Sequence, residues 1–198
     1  AQARPARALS MNKLGTSQPD RDLVLVGGGH SHALAVRMLG LRPLAGMRVT
    51  LISESDHAPY SGMLPGHIAG FYRWDDMHID LRSLCDFAGV KFISARVTGL
   101  DLKEKQVHCE GCDPIRADVL SLNVGAKPRL TDCPGAERWA IPSKPVSRLL
   151  AGWEKVQATG REAGRALRIV IVGGGAGGVE LALAMQRQLP ERTSFTLI

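Results

Sequence analysis

A chain of 198 residues, 44% hydrophobic and 22% charged, has the size of one globular domain or a tight pair, which excludes disorder over most of its length. No run approaches the roughly 18 apolar residues a membrane-crossing helix needs. The net charge of +6 is diffuse, partly from Arg4, Arg7 and Lys13 against Asp20, and no basic block interleaved with aromatics points to nucleic acid.

Residues 1–20 contain no apolar segment of the kind a secretory signal requires and read as a disordered tail, with Met11 a candidate start. An apolar strand over 22–26 runs into Gly27, Gly28 and Gly29. Helical periodicity follows over 31–41, with Leu34, Met38 and Leu41 on one face and Pro43 as the stop. A second buried strand spans 49–53. Residues 55–70, rich in Gly, Pro, Ser and His, read as one long loop of the kind that usually carries function. A helix over 79–88 closes at Gly89 and a strand follows at 90–94. Strands over 96–102 and 106–109 flank a turn at 103–105, and a strand over 119–124 stops at Gly125. A helix begins at 143 and runs to about 162. A strand over 168–172 enters a second glycine triplet, a helix over 179–189 stops at Pro190, and a strand starts at 195.

The cysteines are Cys85, Cys109, Cys112 and Cys133. Cys109 and Cys112 form one C-x-x-C pair between two strand-like runs. A structural zinc site takes four ligands, and a redox pair wants its first thiol at a helix N-terminus. The pair therefore reads as a hairpin turn, with metal or redox chemistry as the alternatives, and no metal site is expected. The cysteine usage suits a reducing, cytoplasmic setting.

The strand–glycine–helix–strand unit occurs twice. At an offset of 146, Gly27 lies over Gly173 and residues 49–52 lie over 195–198 without a gap. Such a unit serves a dinucleotide: glycines allow a tight turn and close backbone approach, and the helix N-terminus faces the pyrophosphate. The second copy is complete, with Gly173, Gly175 and Gly178; the first has Gly27 and Gly29 but His32 at the third place. A histidine there would push the helix outward, aim its ring at the ligand or, with His30, simply cap the helix and pack. Glu54 ends the second strand, where an acidic residue takes a ribose hydroxyl. Its counterpart falls two residues past Ile198, so the choice between NAD and NADP is not legible.

Four segments, 26–32 (Val-Gly-Gly-Gly-His-Ser-His), 59–66 (Pro-Tyr-Ser-Gly-Met-Leu-Pro-Gly), 118–125 and 141–145, resemble the two-dinucleotide-domain flavoproteins of the pyridine nucleotide-disulfide oxidoreductase superfamily. The likeness is to the type II NADH dehydrogenase branch, and within it to the oxidoreductase module joined N-terminally to selenide, water dikinase. The resemblance implies an α/β architecture: a Rossmann-like three-layer FAD-binding domain over 21–142, a connecting helix over 143–165 and the start of a second Rossmann domain, for NAD(P)H, over 166–198. It implies that Gly27, Gly28, Gly29, His30 and Ser31 cradle the FAD pyrophosphate and that Glu54 holds the ribose. Val97 would meet the adenine, and Pro59, Tyr60, Met63 and Leu64 would lie in the loop beside the isoalloxazine. Gly125 would end the strand passing the dinucleotide, where Asn123-Val124-Gly125 stands in place of the usual Ala-Thr-Gly. Gly173, Gly175 and Gly178 would form the NAD(P)H turn.

The implied function is FAD-dependent NAD(P)H oxidation, with electrons passed to a small acceptor such as a quinone; no catalytic side chain is singled out. A flavin-binding regulatory module is an alternative, and so is a sulfide:quinone oxidoreductase-like enzyme using Cys133. The implied partners are a fused or interacting selenide, water dikinase and a second copy of the chain. These 198 residues, expressed alone, are expected to be poorly soluble and inactive with NADH.

Overall fold

The computed structural model describes residues 20–162, 166–189 and 191–198, so the tail expectation and Met11 lie outside the described residues. Strand β1 (Arg21–Val26), helix α1 (His30–Leu41) and strand β2 (Met47–Ser53) open the chain. Residues 55–80 are more structured than their composition suggests. Strand β3 (His57–Pro59) pairs antiparallel with β4 (His78–Asp80), and between them lie a 3-10 turn at Ser61–Met63 and the short helix α2 (Leu64–Ile68). Pro65 is tolerated because it falls in the first helical turn, where its missing N–H has no intrahelical role.

Helix α3 (Leu81–Ala88) starts two residues later than expected, because the Asp80 carboxylate caps it by accepting the Ser83 N–H at 3.0 Å. It ends at Gly89, whose φ of 63° is the left-handed C-cap conformation. Next come β5 (Lys91–Ser94), the antiparallel β6 (Val97–Asp101), β7 (Gln106–Cys109) and β8 (Ile115–Arg116), and then β9 (Val119–Leu122). Helix α4 (Ala136–Trp139), too short to show periodicity, precedes α5 (Val146–Glu162). The second unit is β10 (Arg168–Ile171), α6 (Ala176–Gln188) and β11 (Ser194–Leu197). No helix among the described residues is long and apolar enough to cross a membrane.

The main sheet is parallel, in the order β5-β2-β1-β9. Alternate residues of the central strands face opposite ways. Leu25 and Leu51 meet Ala33 and Val36 of α1 and Leu81 and Cys85 of α3. Val24, Val26 and Ile52 meet Val107 and Ala117 on the side of the β6–β8 sheet. Covering both faces gives the three layers a parallel sheet requires. A third cluster joins α2 to α5 and α6, through Leu64, Ile68, Met77, Leu149, Trp153, Ala184 and Leu189.

At the N-terminal ends of the strands charged contacts link β1 to β2 and to the start of β9. Arg48 of β2 donates from Nη2 to the Asp22 carboxylate at 2.9 Å. Asp118, just before β9, accepts the Asp22 backbone N–H at 3.0 Å and the Arg116 guanidinium at 3.0 Å. The Asp22 N–H, then Arg116, hold the Asp118 carboxyl below the usual carboxylate range. A carboxyl depressed on folding contributes stability above its unfolded pKa of about 3.9 and loses it as pH falls through the folded value. Acid unfolding monitored by circular dichroism is therefore expected to be less steep in Asp118→Asn, which is already less stable at neutral pH.

Candidate functional site

Strand β1 is flanked on one side by β2 and on the other by β9, so the chain reverses its direction of travel across the sheet there; in open α/β sheets ligands bind outside the carboxyl ends of the strands at such a point. The first glycine turn stands at that point. Gly27 has φ 95° and donates its N–H to the Ile52 carbonyl at 2.8 Å. A Cβ on Gly27 would strike the Asn123 backbone beyond β9, and one on Gly28 would reach the Ser53 hydroxyl at 2.7 Å and the Leu81 side chain. One on Gly29 would overlap the Asn123 carboxamide, whose Nδ2 is buried and has no hydrogen-bond partner. Gly29 is the N-cap of α1, no side chain caps that end, and its first turn holds no acidic residue. The unpaired N–H groups of a bare helix start, with the helix dipole, attract an anion.

The structure brings several expected residues to this turn. His30, the first residue of α1, stacks on Tyr60 with ring centroids 4.6 Å apart, tying the segment after β3 to the glycine turn. Ser31 is exposed beside it. Glu54 follows β2, exposed, with its carboxylate 3.3 Å from the Arg96 guanidinium. Val97, next to Arg96, opens β6 half-buried and packs into the cluster on that face of the sheet. Gly125 has φ 78° and open space around it. Pro59 ends β3 half-buried, whereas Met63 packs against the α2–α5–α6 cluster.

Of the readings open to it, His32 takes the packed one. Its ring is buried and bridges Nδ1 to the Gly27 carbonyl at 2.7 Å and Nε2 to the Ser121 hydroxyl of β9 at 2.9 Å. Asn123, Ser121 and Arg96 were not singled out as site residues in the sequence. The only sequence signal for Asn123 was an amide where small residues are usual.

The second turn repeats the first. Partners Leu23 and Val49 recur 146 residues on as Ile169 and Phe195, and Gly173 donates to the Ile198 carbonyl at 2.7 Å. Gly173 has φ 116°, Gly175 caps α6, and Gly178 lies so close to the Gly173 carbonyl that a Cβ would run into it.

The cysteines do not converge on this site. Cys109 and Cys112 sit on the turn leading from β7 to β8, and burial, then Cys112, pushes the Cys109 thiol up, away from thiolate chemistry. No cluster of three or more metal-ligating side chains occurs among the described residues. Burial raises Cys85 to about 11, with Asp86 adding to it. Alkylation at pH 8 followed by mass spectrometry is expected to modify exposed Cys112 and Cys133 within minutes and Cys85 only on unfolding.

The sequence profile of the family described as pyridine nucleotide-disulphide oxidoreductase matches residues 21–194. Demethylphylloquinone reductase NdbB of Synechocystis sp. is 28% identical over 115 residues, 56% of this chain and 28% of its own length. NADH dehydrogenase-like protein YutJ of Bacillus subtilis is 25% identical over 167 residues, 82% of this chain and 44% of its own. The chain thus spans less than half the length of these relatives. Among solved structures, NDH2 from Plasmodium falciparum in complex with NADH superposes at a TM-score of 0.76 and 17% identity, covering 90% of this chain and 41% of that one. The sulfide:quinone oxidoreductase of Aquifex aeolicus gives 0.65 at 22% identity, covering 82% and 38%. At these identities the two structures speak to the fold alone.

Proposed function

The chain belongs to the pyridine nucleotide-disulphide oxidoreductase family, and from that premise we propose that its first glycine turn holds FAD and that the intact protein oxidises NAD(P)H and reduces a small acceptor, with a quinone the foremost candidate. The observation that carries the reading is the cradle at Gly27–Gly29: three backbone positions whose added Cβ atoms would each meet β2, α3 or the segment after β9, opening at a bare helix start. Those residues fit a dinucleotide pyrophosphate, which needs backbone contact and tolerates no side chain in its place.

Bound FAD would accept a hydride and pass its electrons on; the chain supplies binding and orientation. The turn and the first N–H groups of α1 neutralise the phosphates. Glu54, beside Arg96, would accept from ribose hydroxyls, and the His30–Tyr60 stack would flank the turn. The second turn, at Gly173, Gly175 and Gly178, would receive NAD(P)H. The division into an FAD part over 21–142, a connecting helix over 143–165 and an NAD(P)H unit over 166–198 belongs to the same proposal. The quinone draws support from the demethylphylloquinone reductase among the relatives. Association with selenide, water dikinase, self-association and a cytoplasmic location rest on the motif resemblance and cysteine usage.

The test is NADH consumption by the intact protein with a soluble quinone. The expected result is a yellow protein that turns over. Tight flavin with no turnover would instead favour a regulatory module, and a colourless protein releasing no flavin on heating would overturn the reading. The 198 residues alone, with Val172 84% and Leu183 63% exposed on the second unit, are expected to aggregate and show no turnover.

A further inference from the structure

We propose that His32 and Ser121 form the clasp that sets the first glycine turn for a phosphate, doing there what the third glycine does in the second turn; His32 is a positioning residue, not a ligand contact. The inference rests on the reading of the first turn as the FAD site.

The two turns provide an internal comparison. In the second, Gly178 is packed so closely under the Gly173 carbonyl that no side chain fits. In the first, the same place holds a buried imidazole, and the contact with the Gly27 carbonyl has become a hydrogen bond of 2.7 Å. A carbonyl only accepts, so Nδ1 carries the proton. In the neutral ring Nε2 then accepts from the Ser121 hydroxyl, 2.9 Å away. The result is a directed chain, from the Ser121 hydroxyl through the ring to the Gly27 oxygen.

Its consequence follows from the peptide bond. The Gly27 carbonyl and the Gly28 N–H belong to one planar trans unit and point in opposite directions. Drawing the oxygen inward, toward His32 and the sheet, turns the Gly28 N–H outward, to the side where an anion would lie. It also removes a partial negative charge from the mouth of the site. Because Ser121 lies on β9, and a Cβ on Gly27 would strike the Asn123 backbone just beyond that strand, β9 governs the shape of the turn.

The intact protein, stripped of flavin and titrated with FAD by fluorescence, tests this. Replacing His32→Gly restores the glycine pattern but removes the donor, and FAD is expected to bind at least tenfold more weakly. His32→Asn places an amide donor where Nδ1 stood and should bind within about threefold of the parent. Ser121→Ala keeps the packing; it should weaken FAD two- to fivefold in the parent and have no effect in the His32→Gly background. Should His32→Gly fail to fold, the Asn and Ser121 variants still decide. A purely structural role would lower the melting temperature of the flavin-free protein and leave the FAD dissociation constant unchanged. That result, or equal binding by the Gly and Asn variants, or an equal Ser121→Ala effect in both backgrounds, overturns the clasp. A parent protein that takes up no FAD overturns the reading of the site itself.

Discussion

Gly29→Val in the intact protein is expected to give folded but colourless material, with FAD affinity lower by at least a hundredfold, about 2.7 kcal/mol. The added Cβ would overlap the Asn123 carboxamide, with Cγ 2.8 Å and Oδ1 2.9 Å away, and the branched methyls would occupy the mouth of the turn. Since the obstacle is a side chain, Asn123 can swing aside and the fold survives. What would be lost is the surface proposed for the pyrophosphate. Visible absorbance of the purified variant and fluorescence titration with FAD measure the effect, with far-ultraviolet circular dichroism as the control for folding. Stoichiometric yellow chromophore in this variant would contradict the assignment of the turn. The same change at Gly27 is less informative, because its obstacle is the Asn123 backbone and the loss of flavin would be confounded with damage to the sheet.

The second large effect concerns stability. Trp153 of α5 is 5% exposed and packs in the cluster that includes Leu64, Ile68 and Met77 from the segment after β3 and Ala184 and Leu189 from the second unit. Trp153→Ala leaves a cavity that three helices border, and such truncations cost about 3–5 kcal/mol. Denaturant unfolding should show the unfolding free energy falling by that amount, read as a lower midpoint at unchanged slope. Trp139→Ala is the control: that ring is 75% exposed, with the Arg138 guanidinium over it, and should cost no more than about 0.5 kcal/mol. If the two substitutions cost the same, α5 does not join the units through this core.

The parts of the molecule most legible in the sequence were those where local chemistry leaves one solution. The glycine turns announced themselves because a strand that must turn under its own helix needs positive φ and no Cβ, and the repeat showed that both units space their strands equally. Gly89 marked the end of α3 for the same reason. Residues 55–80 were opaque because glycine and proline there mask short elements: β3 and β4 are three residues each and find each other across about twenty residues, a long-range pairing that leaves no local period. Met63 was opaque in another way. Its place in a motif suggested the cofactor; that it also packs against a cluster containing residues of α5 and α6, more than eighty residues on, left no local sign. His32 could be seen to break the glycine pattern, but its two partners, one at its own turn and one on β9, could not be read from its neighbours.

The Asp22–Arg48 and Asp118–Arg116 contacts lie at the opposite end of the parallel strands from the glycine turn. Charged contacts therefore tie the strands at one rim while the proposed ligand site occupies the other. For an engineer this is a useful separation: the crevice rim at Ser53, Glu54 and Asn123 can be rewritten for a different nucleotide while the anchoring rim keeps β2 and β9 in step with β1. A library confined to the first rim should retain folded members at a higher rate than one of equal size drawn across both.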